Sequence, residues 1–256
     1  MLFGMFPWAY SADQKGIVGE TVIYDDLKRV KGWKAFLPNC YLPMQNSETT
    51  EVDLILLHET GIYVFESKNY QGWIFGNEKQ KYWTQSLSDK FGNVKRHKFY
   101  NPLWQNETHI RCLMELLQDE TIPYYSYVVF GDNCELKDIQ LFSGNHTVTY
   151  WYYLLDDVTN MANSMDVYLP PDKMQEIYQK LLPYAKVSEE EKQRHIENIW
   201  AKRYPVIQPN GTWTCPRCGG VLVKRIAQHG RRAGNHFWGC SNYPKCKYIY
   251  DEKSIR

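Results

Sequence analysis

The chain has no apolar run long enough to span a bilayer, no internal repeat and no low-complexity block. Its opening, "MLFGMFPWAYSADQKG", contains apolar residues but has no Lys or Arg ahead of them and is too short for a span. It therefore reads as a packing segment rather than a secretory signal or anchor. Charge of one sign is also lacking: the net charge is +1 over 256 residues, so no global field argues for a polyanionic partner. Cysteine is scarce outside one region. Cys40, Cys112 and Cys134 are scattered and read as inert thiols, whereas Cys215, Cys218, Cys240 and Cys246 crowd the C-terminal tail. With no secretory signal, a reducing cytoplasmic setting is expected, where clustered cysteines mean metal more often than disulfides.

What is present fits a globular chain: 43% of residues are apolar, and Tyr and Trp are abundant at 20 and 9. The balance of charge shifts along the chain. From Gly211 to Arg256, nine Lys/Arg face only Asp251 and Glu252, so the tail carries +7 and the rest −6. A basic tail on an acidic body points to an anionic partner for the tail.

The pattern predicts an α/β body. Ser11–Gln14 fits a capping box, with Ile17, Tyr24, Leu27 and also Glu20 on one helical face. Strands are expected near Trp33–Leu42, at Glu51–Leu57 and at Gly61–Asn69, the last two forming a hairpin. "GWIFG" and "KYWTQSL" read as further strands, and "DKFGNVKRHKFY" as a polar, basic turn. Asn101 and Pro102 open a helix through Leu117. Tyr125–Gly131 reads as a buried strand, and His146–Val158 as a strand running into a turn. A helix is expected from Pro171 to about Leu182, and a charged spacer helix over Ser188–Arg203 ahead of a linker, "YPVIQPNG". The expected division is a body over 1–185, a charged spacer over 186–210 and a cysteine module over 211–256.

A hairpin centred between Glu59 and Thr60 pairs position i with 119 − i. Asp53 then lies opposite Glu66, and Lys68 continues the same face. Opposed carboxylates repel, and a divalent cation relieves that repulsion. Asp53 and Glu66 are thus candidate Mg²⁺ or Mn²⁺ ligands, with Lys68 orienting or deprotonating a water or neutralising transition-state charge. The competing reading is an exposed edge hairpin with a surface ion pair. Apolar neighbours on both faces (Leu54, Leu56, Tyr63, Phe65) weigh against that, because unpaired charge is costly inside.

Four pieces in order, "GE" at Gly19-Glu20, "EVD" at Glu51–Asp53, "GIYVFESKNYQGWIFG" at Gly61–Gly76 and "NPLWQN" at Asn101–Asn106, resemble the nuclease-related domain (NERD) family of the PD-(D/E)xK nuclease-like superfamily. The resemblance implies a restriction-endonuclease-like mixed sheet flanked by helices. It implies Asp53 and Glu66 as metal ligands, Lys68 as catalytic lysine, Glu20 as a further carboxylate and Gln105 as a polar helper. Ser67 departs from the family, which carries an aliphatic residue between acid and lysine; a serine keeps the backbone carbonyl that often completes the metal shell. Gln105 reads equally as a core amide. His109, one turn later, reads as structural, and "KRHK" (Lys95–Lys98) as a solvated basic loop.

In the tail, Cys215-x₂-Cys218 and Cys240-x₅-Cys246 are two thiolate pairs 21 residues apart, a set that suits tetrahedral Zn²⁺. So short a module cannot bury a sufficient core, and metal would supply much of its folding free energy. Free thiols or a disulfide pair are the alternative. "CPRCGGVLVKR" and "FWGCSNYPKCKY" resemble the C-terminal zinc fingers of bacterial type I topoisomerases. That resemblance implies binding of DNA, especially single strands. Lys224, Arg225, Arg231, Arg232, Lys245 and Lys247 would contact phosphates, and Phe237, Trp238, Tyr243 and Tyr248 are candidate stacking platforms, about half of them needed for the core. The expected function is a metal-dependent DNA nuclease. The alternatives are a non-catalytic nucleic-acid-binding accessory protein with a nuclease-like fold, and a nuclease acting on RNA.

Overall fold

The computed structural model describes residues 23–45, 48–203, 205–230 and 233–251. The capping box at Ser11–Gln14, Glu20, Arg231 and Arg232 lie outside the described residues. The chain divides into two units, 1–187 and 188–256.

The first unit is built on a five-stranded mixed sheet in the order β1 (Lys34–Pro43), β2 (Thr49–His58), β3 (Gly61–Lys68), β7 (Tyr124–Phe130), β9 (His146–Tyr150). The β1–β2 and β2–β3 pairs are antiparallel, and β3–β7 and β7–β9 are parallel. The observed β2–β3 register, Leu54 opposite Phe65 and His58 opposite Gly61, is the one expected from the hairpin centre. Gly61 is required there: its φ is +144°, and a Cβ would sit 2.5 Å from the Pro123 carbonyl oxygen.

Both faces of the sheet are covered, which is why β2 and β3 read as near-continuous apolar runs. On one face, Ile55, Leu57, Ile62 and Val64 pack against α2 (Pro102–Leu117) and α4 (Pro171–Ala185). On the other, Leu54, Leu56, Tyr63 and Phe65 pack against α1 (described over residues 23–27) and α3 (Trp151–Ser164). Each fully buried aliphatic side chain contributes roughly 1.5–3 kcal/mol by leaving water.

A second, four-stranded sheet runs β6 (Val94–Tyr100), β5 (Tyr82–Ser88), β4 (Gly72–Asn77), β8 (Cys134–Gln140). One face of it, with Ile74 and Trp83, packs on Leu103, Val128 and Phe130. Gly76 lets that core close, since a Cβ there would meet the Trp83 ring at 2.1 Å. Three expectations change. "VKRHKFY" is a strand rather than a turn, Cys134–Gln140 adds a strand, and Trp151–Ser164 is a helix rather than a turn.

Asn101 ties the two sheets together. Its side-chain oxygen accepts from Leu103 N–H (2.9 Å), capping α2, and its amide donates to the Gln80 carbonyl (2.8 Å) in the β4–β5 turn. Inside α2, Asn106 donates to the Val64 carbonyl (2.9 Å) and to Ser126 Oγ (2.8 Å), fixing the helix against β3 and β7.

In the second unit, α5 (Glu189–Arg203) opens with a reciprocal cap. Ser188 Oγ accepts from Glu191 N–H, and Glu191 accepts from Ser188 N–H. A five-stranded sheet follows, β10 (Val206–Ile207), β11 (Trp213–Thr214), β12 (Val221–Ile226), β13 (His236–Cys240) and β14 (Ile249–Tyr250). Val206 and Ile207, expected as linker, pair with β11. No helix among the described residues is long and apolar enough to cross a membrane.

Candidate active site and zinc ribbon

The first cluster sits where β3 ends beneath the first turns of α2. Glu66 is 1% exposed, and its side chain points to the α2 face of the sheet. Lys68, two residues on, shares that face and pairs directly with Glu66 Oε1. Lys68 Nζ also donates to Gln105 Oε1 (3.2 Å), which brings Gln105 to the lysine. Asp53 lies at the facing position of β2, but its Oδ2 accepts from the Ser67 N–H (2.7 Å). The residue that departs from the family pattern thus uses its backbone to orient Asp53.

Burial pushes the Glu66 carboxyl up to about 8, with Lys68 pulling it down and Asp53 pushing it further up. Burial likewise raises Asp53, against the charge of Lys68 and the Ser67 hydrogen bond. For Lys68, burial disfavours the ammonium, but the charges of Glu66 and Asp53 outweigh it and the pKa is raised.

Two residues that sequence reasoning did not assign to the site belong beside it. Glu51, held by Tyr41 Oη (2.7 Å), is close enough for its charge to raise both Asp53 and Glu66. Its signal is its position two residues before Asp53 on one strand. His109 is completely buried, its Nδ1 is 3.7 Å from Glu66 Oε2, and neither atom has a hydrogen-bond partner. Burial and the Lys68 charge depress its pKa to about 3, so the ring is neutral. Its signal is the i, i+4 spacing from Gln105 on α2.

The donor set fits a hard divalent cation. Glu66 keeps a buried oxygen with no partner, and Asp53 and Glu51 bring further carboxylate oxygens beside the single ammonium of Lys68. It is not a closed cage: among the described residues, only the four cysteines bring three or more such ligand atoms within 4.8 Å of one another. Mg²⁺ retains several waters and is commonly held by one or two carboxylates, so an open set is compatible with it.

The second cluster is that cysteine set. The Cys215–Cys246 sulfurs are 3.8 Å apart and the Cys218–Cys240 sulfurs 3.3 Å. Sulfurs at about 2.3 Å from a tetrahedral Zn²⁺ would stand about 3.8 Å apart, so the four thiols fit the ion. Trp213, Trp238 and Tyr250 pack against them, with Trp213 and Trp238 stacked at 5.6 Å.

Strand register separates the expected DNA contacts. Arg225 pairs with Phe237 on one face of the ribbon, and Lys224 pairs with Trp238 on the other. Trp238 is drawn into the small core. Arg225 and Phe237 instead line a cavity of about 360 Å³ with Tyr243, Lys247, Tyr248 and Ile249. The Arg225 guanidinium lies 5.8 Å from the exposed Tyr243 ring. Lys245 is exposed on the loop between Cys240 and Cys246.

Comparison with known proteins follows the same division. Residues 15–131 match the family described as nuclease-related domain, and residues 213–255 match the topoisomerase DNA binding C4 zinc finger. A Bacillus anthracis protein described only as uncharacterized is 31% identical over 189 residues, covering 73% of this chain and 85% of the relative. A DNA topoisomerase 1 of Helicobacter pylori is 46% identical over 41 residues, which is 16% of this chain but 5% of the topoisomerase. A Pyrococcus horikoshii DNA topoisomerase 1 is 37% identical over 71 residues, 26% of this chain and 10% of that protein. No solved structure matches the chain.

Proposed function

The chain belongs to the nuclease-related domain family, and on that premise we propose that it is a Mg²⁺- or Mn²⁺-dependent nuclease hydrolysing DNA phosphodiester bonds. One observation carries the reading: a buried carboxylate with an unpaired oxygen, Glu66, stands against a lysine in a cluster that also holds Asp53 and Gln105. Asp53 and Glu66 would hold the cation, with Glu20 as a further carboxylate. When bound, the cation supplies Lewis-acid stabilisation of the phosphate and a more acidic water.

The chain's own residues do the rest. Lys68 provides a positive charge at the scissile phosphate, where charge builds in the transition state. Gln105 and Glu66 hold that ammonium in place. The Ser67 N–H fixes one Asp53 oxygen and leaves the other for the cation. The ribbon takes a single-stranded stretch of DNA: Arg225, Lys224, Lys245 and Lys247, with Arg231 and Arg232, meet phosphates, and Phe237 and Tyr243 offer stacking faces. A reducing cytoplasmic setting keeps the four thiols available to zinc.

The test is cleavage of single- and double-stranded DNA with Mg²⁺ or Mn²⁺. Asp53→Ala, Glu66→Ala and Lys68→Ala should each abolish it, and equal cutting by Glu66→Ala would sink the assignment. The direct Lys68–Glu66 contact favours a second reading, a DNA-binding accessory protein whose ion pair stands in place of a metal. DNA binding with no divalent-cation uptake by the first unit would select it. Preferential cutting of RNA at equal salt would change the substrate and leave the site intact.

A further inference from the structure

The second sheet of the first unit has one face in the core and one face free of it, and the free face has a consistent chemistry. Strand register fixes its membership. Tyr82 stands opposite Tyr100, Thr84 opposite Lys98, Ser86 opposite Arg96, and Trp73 opposite both Ser86 and Glu135. Cross-strand partners share a face, so Trp73, Phe75, Tyr82, Arg96, Lys98 and Tyr100 lie together, with Glu135, paired to Lys137, beside Trp73. The buried residues Ile74 and Trp83 alternate with them and point the other way.

Three large rings on this face are open: Trp73 and Tyr82 are each 49% exposed, and Tyr100 is 43% exposed. Lys137 lies 5.2 Å over the Trp73 ring, and Lys81 lies 5.6 Å over Tyr82. Among the described residues, Arg96 and Lys98 enter no ion pair. From Gly72 to Tyr100, six Lys/Arg face only Glu78 and Asp89, in a chain whose net charge is +1.

Cations on β6 have an ordinary explanation: it is an edge strand, and edge lysines deter pairing with other chains. That explanation does not account for three exposed aromatic rings on the same face, which such a strand would do better without. Rings flanked by cations are the features that bind a single strand, the rings by stacking and the cations at phosphates. The sheet that carries the face is tied to the acidic cluster through its chain connections. β4 begins four residues after Lys68, and β6 ends at Tyr100, five residues before the Gln105 that holds Lys68. From Tyr82 to Ser86, opposite Trp73, is about 13 Å of strand, room for a few nucleotides.

We propose that this face is a second single-strand platform, separate from the ribbon, on which Tyr82, Tyr100 and Trp73 stack bases while Arg96 and Lys98 hold phosphates. It deepens the nuclease reading and rests on it for the choice of nucleic acid as occupant.

The experiment uses the full chain, a fluorescein-labelled 12-nucleotide oligo-dT and a duplex of equal length, with anisotropy at 50 and 200 mM salt. Arg96→Glu/Lys98→Glu should raise the Kd for the single strand at least tenfold and flatten its salt slope by about 1.4, two phosphate contacts' worth. Arg96→Gln/Lys98→Gln should give an intermediate loss. Tyr82→Ala/Tyr100→Ala should weaken binding severalfold with the salt slope unchanged. Far-UV circular dichroism should match wild type in each variant. A change under twofold in Kd with an unchanged slope overturns the platform, and an equal loss for the duplex overturns its single-strand character. Should the wild type bind through this face yet cut nothing with Mg²⁺ or Mn²⁺, the platform stands and the nuclease reading falls. Should it cut, with KM unmoved by the charge reversal, the nuclease reading stands and the platform falls.

Discussion

The two clusters of metal-type side chains face opposite folding problems. The acidic cluster is set into a unit with three apolar clusters around two sheets, so its scaffold is complete without any ion. The four cysteines are set into a unit whose own apolar cluster, among the described residues, is five buried residues, three of them cysteines. In the first case the fold pays for awkward charge, leaving Glu66 Oε2 and His109 buried and unpaired. In the second the awkward groups are the core. An ion at the carboxylates is therefore a matter of function, and an ion at the thiols a matter of existence.

The largest effect that would break this contrast is metal removal from the thiols. Structural zinc supplies roughly 10–16 kcal/mol of apparent binding free energy in small fingers, far above what this core can hold. Cys218→Ser, or a zinc chelator, should unfold the ribbon, with loss of Trp213–Trp238 stacking read by near-UV circular dichroism, while the first unit melts as before. A ribbon that keeps its amide dispersion without zinc would contradict the argument.

Next in size comes the chemistry of the acidic cluster. Lys68→Ala and Glu66→Ala should each lower kcat/KM for DNA at least 100-fold, in line with losses of a single electrostatic group. Lys68→Ala leaves the buried carboxylates without their counter-charge and should lower the thermal midpoint, whereas Glu66→Ala leaves Lys68 beside Asp53 and should lower it less, with activity read well below both midpoints. An equal fall in stability and activity would make these residues structural rather than functional.

Within the ribbon, adjacent aromatics should divide. Trp238→Ala removes a ring stacked on Trp213 and should destabilise the ribbon by roughly 3 kcal/mol. Phe237→Ala, one residue away on the opposite face, should leave stability nearly intact and weaken single-strand binding by about 1–3 kcal/mol. Reversed outcomes would exchange the faces.

That division was not legible from composition, because "FW" reads as two aromatics until β12 sets the register. The same holds elsewhere. The β2–β3 hairpin, its register and the α2 cap were readable, since apolar period, turn and capping chemistry all agree there. β6 was not, because Lys95, Arg96, His97 and Lys98 hide the alternation, and only pairing with β5 makes it a strand. β8 carries a register shift against Ile74/Phe75 that breaks its period. α3 begins with Trp-Tyr-Tyr directly after β9 and has no side-chain cap, so nothing local announces a helix. In the site, the shared face of Glu66 and Lys68 was readable from spacing and Gln105 entered only through the family resemblance, whereas the His109–Glu66 contact depends on how Asn106 seats α2 on the sheet.

The smallest effect sharpens the contrast from the carboxylate side. Glu66 is raised to about 8 from an ordinary 4.5, so between those values the folded state holds a proton that the unfolded chain has released. Stability then falls as pH rises through that window. His109, lowered to about 3 from 6.5, works the other way, since the unfolded chain takes up a proton below 6.5 that the folded state refuses. From about pH 4.5 to 6.5 the two oppose each other; between 6.5 and 8 His109 drops out and Glu66 remains, with Asp53 raised in the same direction. Without added Mg²⁺ or Mn²⁺, the first unit should therefore lose about 1 kcal/mol per pH unit from 6.5 to 8 in urea melts. Glu66→Gln, which cannot ionise, should flatten that slope. A slope equal in wild type and Glu66→Gln would mean that the carboxylate is already compensated in the folded chain, and the contrast between a tolerated charge cluster and a metal-built core would lose its first half.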